Sequence, residues 1–121
     1  GVRLVGSEMC IREDYVPYWD LIFSDGSCEP RDTSAAAIAA CGILEMEKYY
    51  HNQEFLDIAK KMMSSLSEKY TTVDYLQSNG IIKDGMYSRK HGHKSECTSW
   101  GDYFYLEALM RMKKSDWKIY W

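Results

Sequence analysis

The residues of this 121-residue chain with the clearest chemical capacity lie in the run Ser88-Arg89-Lys90-His91-Gly92-His93-Lys94. Arg89, Lys90 and Lys94 are cationic at neutral pH, and the two imidazoles join them below about pH 6.5, so the run suits an anion. Its plain structural alternative is a solvated basic loop. His91 and His93 flank a glycine, but no third ligand lies near them in sequence, so no metal is expected. The four cysteines, Cys10, Cys28, Cys41 and Cys97, are far apart and form no C-x-x-C pair. Neither a zinc site nor a disulfide framework follows, and a reducing, cytoplasmic setting is expected. Cys97 reads as a buried, inert thiol. The seven methionines read as core filler on helix faces rather than a cofactor box, and no cofactor is expected.

Composition limits what can hold these residues. The chain has 15 Lys+Arg against 18 Asp+Glu, a formal charge of −3, with the basic residues dispersed, which leaves no footprint for a nucleic-acid backbone. Hydrophobic residues at 45% and aromatics at 14% supply a core for one domain at most and exclude wholesale disorder. The longest apolar stretch, Ala35 to Leu44, is about half of a bilayer crossing, so membrane insertion is not expected.

Three helices are legible. Asp32, Thr33 and Ser34 offer N-cap oxygens for a first helix, Ala35 to Tyr50, whose first three turns are apolar all round and whose small Ala and Gly42 side chains admit close neighbours. Asn52 caps a second, in which Phe55, Ile58, Ala59, Met62, Met63, Leu66 and Tyr70 recur at helical spacing opposite lysines and serines. Asp102 is expected to cap a third, Tyr103 to about Lys113, apolar around most of its circumference. Helices one and three read as enclosed and helix two as an outer face, the alternation of helical hairpins stacked in two layers. The aromatic-bearing stretch up to Pro30 reads as a long loop. The stretch from Thr71 to Gly101 reads as turns with a short hairpin around Ile81-Ile82 and Met86-Tyr87, too long for a mere connector. Residues 1–13, GVRLVGSEMCIRE, follow neither period; Ser7 to Arg12 resembles a translated sequencing-adapter sequence, so this segment is expected to be foreign and the natural chain to extend upstream.

Three strings carry a family resemblance: Val16-Pro17-Tyr18-Trp19-Asp20, the run from Glu29 to Ala40 (EPRDTSAAAIAA), and the run from Glu96 to Leu109 (ECTSWGDYFYLEAL). Their order and spacing resemble the C-terminal third of glycoside hydrolase family 88, the unsaturated glucuronyl hydrolases, from about Asp14 to Trp121. The resemblance implies an all-α fold, an incomplete arc of an (α/α)6 barrel with long loops. It implies removal of the 4,5-unsaturated uronic acid that lyases leave on glycosaminoglycan oligosaccharides, by hydration of the vinyl ether. The family's catalytic aspartates lie in the N-terminal half, so no catalytic residue is assigned here and the chain is expected to be inactive alone. Competing readings are an unsaturated rhamnogalacturonyl hydrolase fragment and a non-catalytic helical module binding carbohydrate or protein.

The same resemblance gives the candidate substrate-binding residues their roles. Trp19, beside Tyr18, either offers a face to a sugar ring or packs its loop on the barrel rim. Arg31 either meets a uronate carboxylate or forms with Asp32 a cap and ion pair that fixes the turn. Some family members carry a Ser-x-x-Ser-x-Lys pattern that holds sulfate; here Ser88 matches its first serine, His91 replaces the second, and the lysine comes one position late as Lys94. Trp100 and Tyr103 open the third helix at the expected cavity mouth. The expected partner is an oligosaccharide, with no nucleic acid and no membrane, and the uncovered apolar sides of helices one and three are expected to make the chain self-associate.

Overall fold

The computed structural model describes residues 14–24, 27–88 and 96–119. Residues 1–13, expected from sequence to be foreign, lie outside the described residues, as do His91 and Lys94. Three helices order the rest: α1, Thr33–Tyr50, α2, Gln53–Lys69, and α3, Ser99–Lys113. Each starts on a side-chain cap that satisfies a backbone N–H with no partner inside the helix. Asp32 accepts from Ser34 N, Asn52 from Glu54 N, and Thr98 from Gly101 N. His51 ends α1 in the left-handed region at φ 49°, its N–H on the Glu47 carbonyl, and this turns the chain directly into α2.

Helix α1 packs against both other helices, whereas α2 and α3 scarcely touch. Contacts climb in register along α1 and α3: Ser34 lies beside Gly101, Cys41 Sγ donates to the Phe104 carbonyl at 3.2 Å, and Glu45 meets Arg111. The two helices therefore run side by side in the same direction, with their starts at one end, and α2 returns antiparallel behind α1. This is the two-layer hairpin order anticipated from the hydrophobic periods. The core lies between α1 and α2, where Ala36, Ala37, Ala40, Ala59, Met62 and Leu66 have no exposed surface.

Two expectations change. Helix α3 begins at Ser99 on Thr98, not at Tyr103 on Asp102, because the Asp102 carboxylate is taken by backbone amides of another segment. The Ile81-Ile82 with Met86-Tyr87 hairpin is replaced by isolated bridges, Thr71 with Ile82 and Gly85 with Glu96, whose partners lie farther along the chain. The apolar sides of α1 and α3 that the sequence expects this chain to leave uncovered are open among the described residues: Ile38 is 43% exposed and Leu106 47%, with Tyr103, Leu109, Met110 and Met112 also open. Methionine accordingly fills the core at Met62 and Met63 but lines an uncovered face at Met110 and Met112. No helix among the described residues is long and apolar enough to cross a membrane.

Candidate functional site

The paired starts of α1 and α3 define one end of the arc, and the segment between α2 and α3 is laced across it. Thr33 Oγ1 donates to the Lys83 carbonyl at 2.7 Å, and Thr33 N to the Asp84 carbonyl at 3.1 Å. Asp32 Oδ1 accepts from Ser34 N, Ser34 Oγ and Met86 N at 3.0, 2.6 and 3.1 Å. From the other helix, Asp102 Oδ1 accepts from Ile81 N and Ile82 N at 3.0 Å each. Ile82, 1% exposed, is the plug between the helix starts. A Cβ on Gly101 would stand 3.2 Å from Ser34 Cβ and 3.6 Å from Ile82 Cδ1, so a glycine is what lets these parts meet.

The strap so held delivers Tyr87 and Ser88. The Tyr87 ring lies 5.9 Å from that of Trp100, tilted by 46°, within the range of aromatic pairs. Both rings are open to solvent, as is Tyr103 one turn along α3, whose ring meets Phe104 edge-on at 5.1 Å. The structure thus brings Trp100, Tyr103 and Ser88 to one rim and adds Tyr87, which the sequence reading had placed only in a hairpin. Nothing local in the sequence signals that residue, because its ring partner lies 13 positions away.

Trp19 and Arg31 sit on the loop preceding α1. Trp19 Nε1 donates to Glu29 Oε2 at 2.9 Å, and its ring lies 5.5 Å from Phe23, contacts that pack the loop on itself. Arg31 donates to the Val16 carbonyl at 2.8 Å, pairs with Asp14 at 3.4 Å and lies 4.0 Å over the buried Tyr18 ring. Asp32 caps α1, so the half of the sequence alternative that made it a cap describes its geometry. Tyr70 donates to Asp14 Oδ2 at 2.7 Å, and burial followed by that carboxylate raises its phenol well above its ordinary pKa, keeping it a donor.

At the opposite end, α1 and α3 are tied by charge. Arg111 donates to Glu107 Oε1 at 2.9 Å and to Glu45 Oε2, while Lys48 pairs with Glu45 at 2.9 Å. Arg111 also stacks on the Trp117 ring at 4.3 Å. The hydrogen bond from Arg111, then that from Lys48, hold the Glu45 carboxyl below its usual range. Burial, then the nearby Glu107 carboxylate, push the Cys41 thiol up to about 12, which leaves it unreactive. Cys97, expected to be buried, is exposed, its sulfur 3.6 Å from Ser78 Oγ, and a side chain at Gly80 would collide with both its Cβ and its sulfur. Among the described residues no group of three His, Cys, Asp or Glu side chains converges on a point.

No protein-family model matches the chain. It is 45% identical over 115 residues to the unsaturated chondroitin disaccharide hydrolase of Streptococcus agalactiae serotype III, a match that takes in 90% of this chain and 29% of that protein. It is 38% identical over 110 residues to the unsaturated glucuronyl hydrolase of Bacillus sp. (strain GL1), taking in 86% of this chain and again 29% of the relative. The crystal structure of the unsaturated glucuronyl hydrolase from Streptococcus agalactiae superposes with a TM-score of 0.80 at 45% identity, over 90% of this chain and 30% of that one. The chain is a relative of the unsaturated glucuronyl hydrolases, and its three helices form an incomplete arc of their helical fold. It spans 29% of the length of each of these two curated relatives.

Proposed function

We propose that residues 14–121 are the C-terminal arc of an unsaturated glucuronyl hydrolase and supply part of its substrate rim, while residues 1–13 are foreign to it. The observation that carries this reading is the 45% identity to the Streptococcus agalactiae hydrolase over 115 residues, 90% of this chain. The D175N mutant of the unsaturated glucuronyl hydrolase from Streptococcus agalactiae has been crystallised in complex with dGlcA-GalNAc6S. The reaction is hydration of the 4,5-double bond: a carboxyl group supplies the proton and activates water, and the resulting hemiketal rearranges to release the sugar. Such a step needs a tuned carboxyl, and none of the carboxylates of this chain is assigned to it.

The contribution of this chain is binding. The open faces of Tyr87, Trp100 and Tyr103 suit the C–H face of a pyranose, and Ser88 with His91 and Lys94 suits an anionic group. The uncovered sides of α1 and α3 make the isolated chain self-associate, since an apolar face of this kind is unusual on a soluble monomer. A reducing, cytoplasmic location is part of the same reading, supported by Cys41 and Cys97, which are free thiols among the described residues.

The test is a chimera in which residues 14–121 replace the homologous segment of the Streptococcus agalactiae relative. Loss of the ultraviolet absorbance of the double bond is followed with unsaturated chondroitin and rhamnogalacturonan disaccharides. We expect activity on the chondroitin substrate within about tenfold of the parent, roughly 1.4 kcal/mol in barrel complementarity. A folded chimera that acts only on the rhamnogalacturonan substrate, or on neither, overturns the reading.

A further inference from the structure

The two helix starts hold the strap with unequal necessity. Asp32 caps its own helix, and its bond to Met86 N is additional. Asp102 caps nothing: Thr98 already satisfies the Gly101 amide at 3.1 Å, yet the Asp102 carboxylate collects two consecutive amides, Ile81 N and Ile82 N, from outside the helix. Hydrogen bonds to a charged acceptor are about twice as strong as neutral ones, so this is the firmest single tie between strap and helix. Trp100 lies two residues before Asp102, and Tyr87 five residues after Ile82. One carboxylate therefore joins the segments that carry the two rings.

We propose that Asp102 is a positioning residue for the saccharide rim: by fixing Ile81 and Ile82 on the first turn of α3, it sets the distance between Tyr87 and Trp100. The proposal rests on the reading of that rim as sugar-binding. An extended residue advances about 3.3 Å, so a strap displaced by a single residue carries Tyr87 out of the ~4.5–7 Å range in which rings pair. The observed 5.9 Å leaves little latitude. Ile82, the Thr33 bonds, the Met86 bond to Asp32 and the Gly85–Glu96 bridge keep the strap near the helix starts without Asp102, but each of those hydrogen bonds ends outside α3, whereas the Asp102 bonds tie the strap to α3 itself.

The experiment is done on the full chain by NMR, following the Tyr87–Trp100 ring contact and exchange of the Ile81 and Ile82 amides, with titration of an unsaturated chondroitin disaccharide. In Asp102→Ala the two amides are expected to exchange at least about tenfold faster. The ring contact is lost and disaccharide affinity falls to that of Tyr87→Ala, while amides of the Cys41–Phe104 contact keep their protection. Asp102→Asn retains an acceptor oxygen and restores the ring contact and most of the affinity. An Asp102→Ala chain that keeps the ring contact, or loses affinity with the contact intact, overturns the proposal. If Asp102→Ala does not fold, Asp102→Glu decides. Its extra methylene is expected to shift the ring contact, and an unchanged contact with unchanged amide protection contradicts the proposal. A wild-type chain that binds no disaccharide refutes the rim reading alone, and the ring contact then decides the role of Asp102.

Discussion

Replacing Arg111 by methionine is expected to lower stability by about 3–5 kcal/mol, the usual effect of removing one partner from a buried ion pair. The Arg111 side chain is 4% exposed and that of Glu107 2%, so the substitution strands the Glu107 carboxylate away from water. Glu107 Oε2 already lacks a hydrogen-bond partner among the described residues, which leaves Arg111 as its principal compensation. Methionine keeps most of the aliphatic stem but removes the guanidinium that lies 4.3 Å over the Trp117 ring, so the loss reports the charge together with that stacking contact. Denaturant unfolding measures it, and adding Glu107→Gln to Arg111→Met is expected to recover part of it. The same cluster fixes a pH dependence. Because Arg111 and Lys48 depress the folded-state pKa of Glu45, its contribution is fully present above the ordinary carboxylate pKa of about 4.3 and is lost as pH falls through the lower folded value. Glu45→Gln is expected to flatten the acid side of the stability profile.

Two helical glycines are expected to respond with opposite signs. A Cβ at Gly101 would lie 2.7 Å from Thr98 Oγ1, the oxygen that caps α3, and 3.2 Å from Ser34 Cβ. Gly101→Val must therefore break the cap and part the helix starts, a loss of about 2–4 kcal/mol from overpacking and the cap together. At Gly42 nothing lies within 4 Å of the added carbon, so Gly42→Ala gains up to ~1 kcal/mol of helix propensity in this chain. Unfolding midpoints of the two variants check both signs. Gly101→Val also separates Trp100 from the strap that carries Tyr87, so disaccharide affinity is expected to fall with stability.

What was legible in the sequence depended on how far a residue's partner lies from it. The extents of α1 and α2 follow from local periodicity and from Asp32 and Asn52 as caps, and both emerge within two residues of the expected starts. In the local sequence Gly101 resembles a breaker and Asp102 a cap, which moves the expected start of α3 to Tyr103. Their actual tasks, close approach to Ser34 and capture of the Ile81 and Ile82 amides, involve residues on other elements. The Thr71–Ile82 and Gly85–Glu96 bridges were missed for the same reason. Trp100 and Tyr103 were found as part of a recognisable string, whereas Tyr87 becomes a candidate only when the strap places it beside Trp100. The tie from Glu45 to Arg111 spans 66 positions and leaves no mark in either local sequence.

Co-expression of this chain with the Streptococcus agalactiae relative lacking its homologous segment, read by light scattering and an apolar-surface dye, decides whether residues 14–121 are an arc of that fold. A one-to-one complex is expected, in which dye binding to the open sides of α1 and α3 disappears. A chain that stays a monodisperse monomer, binds no dye and ignores the truncated relative would contradict it.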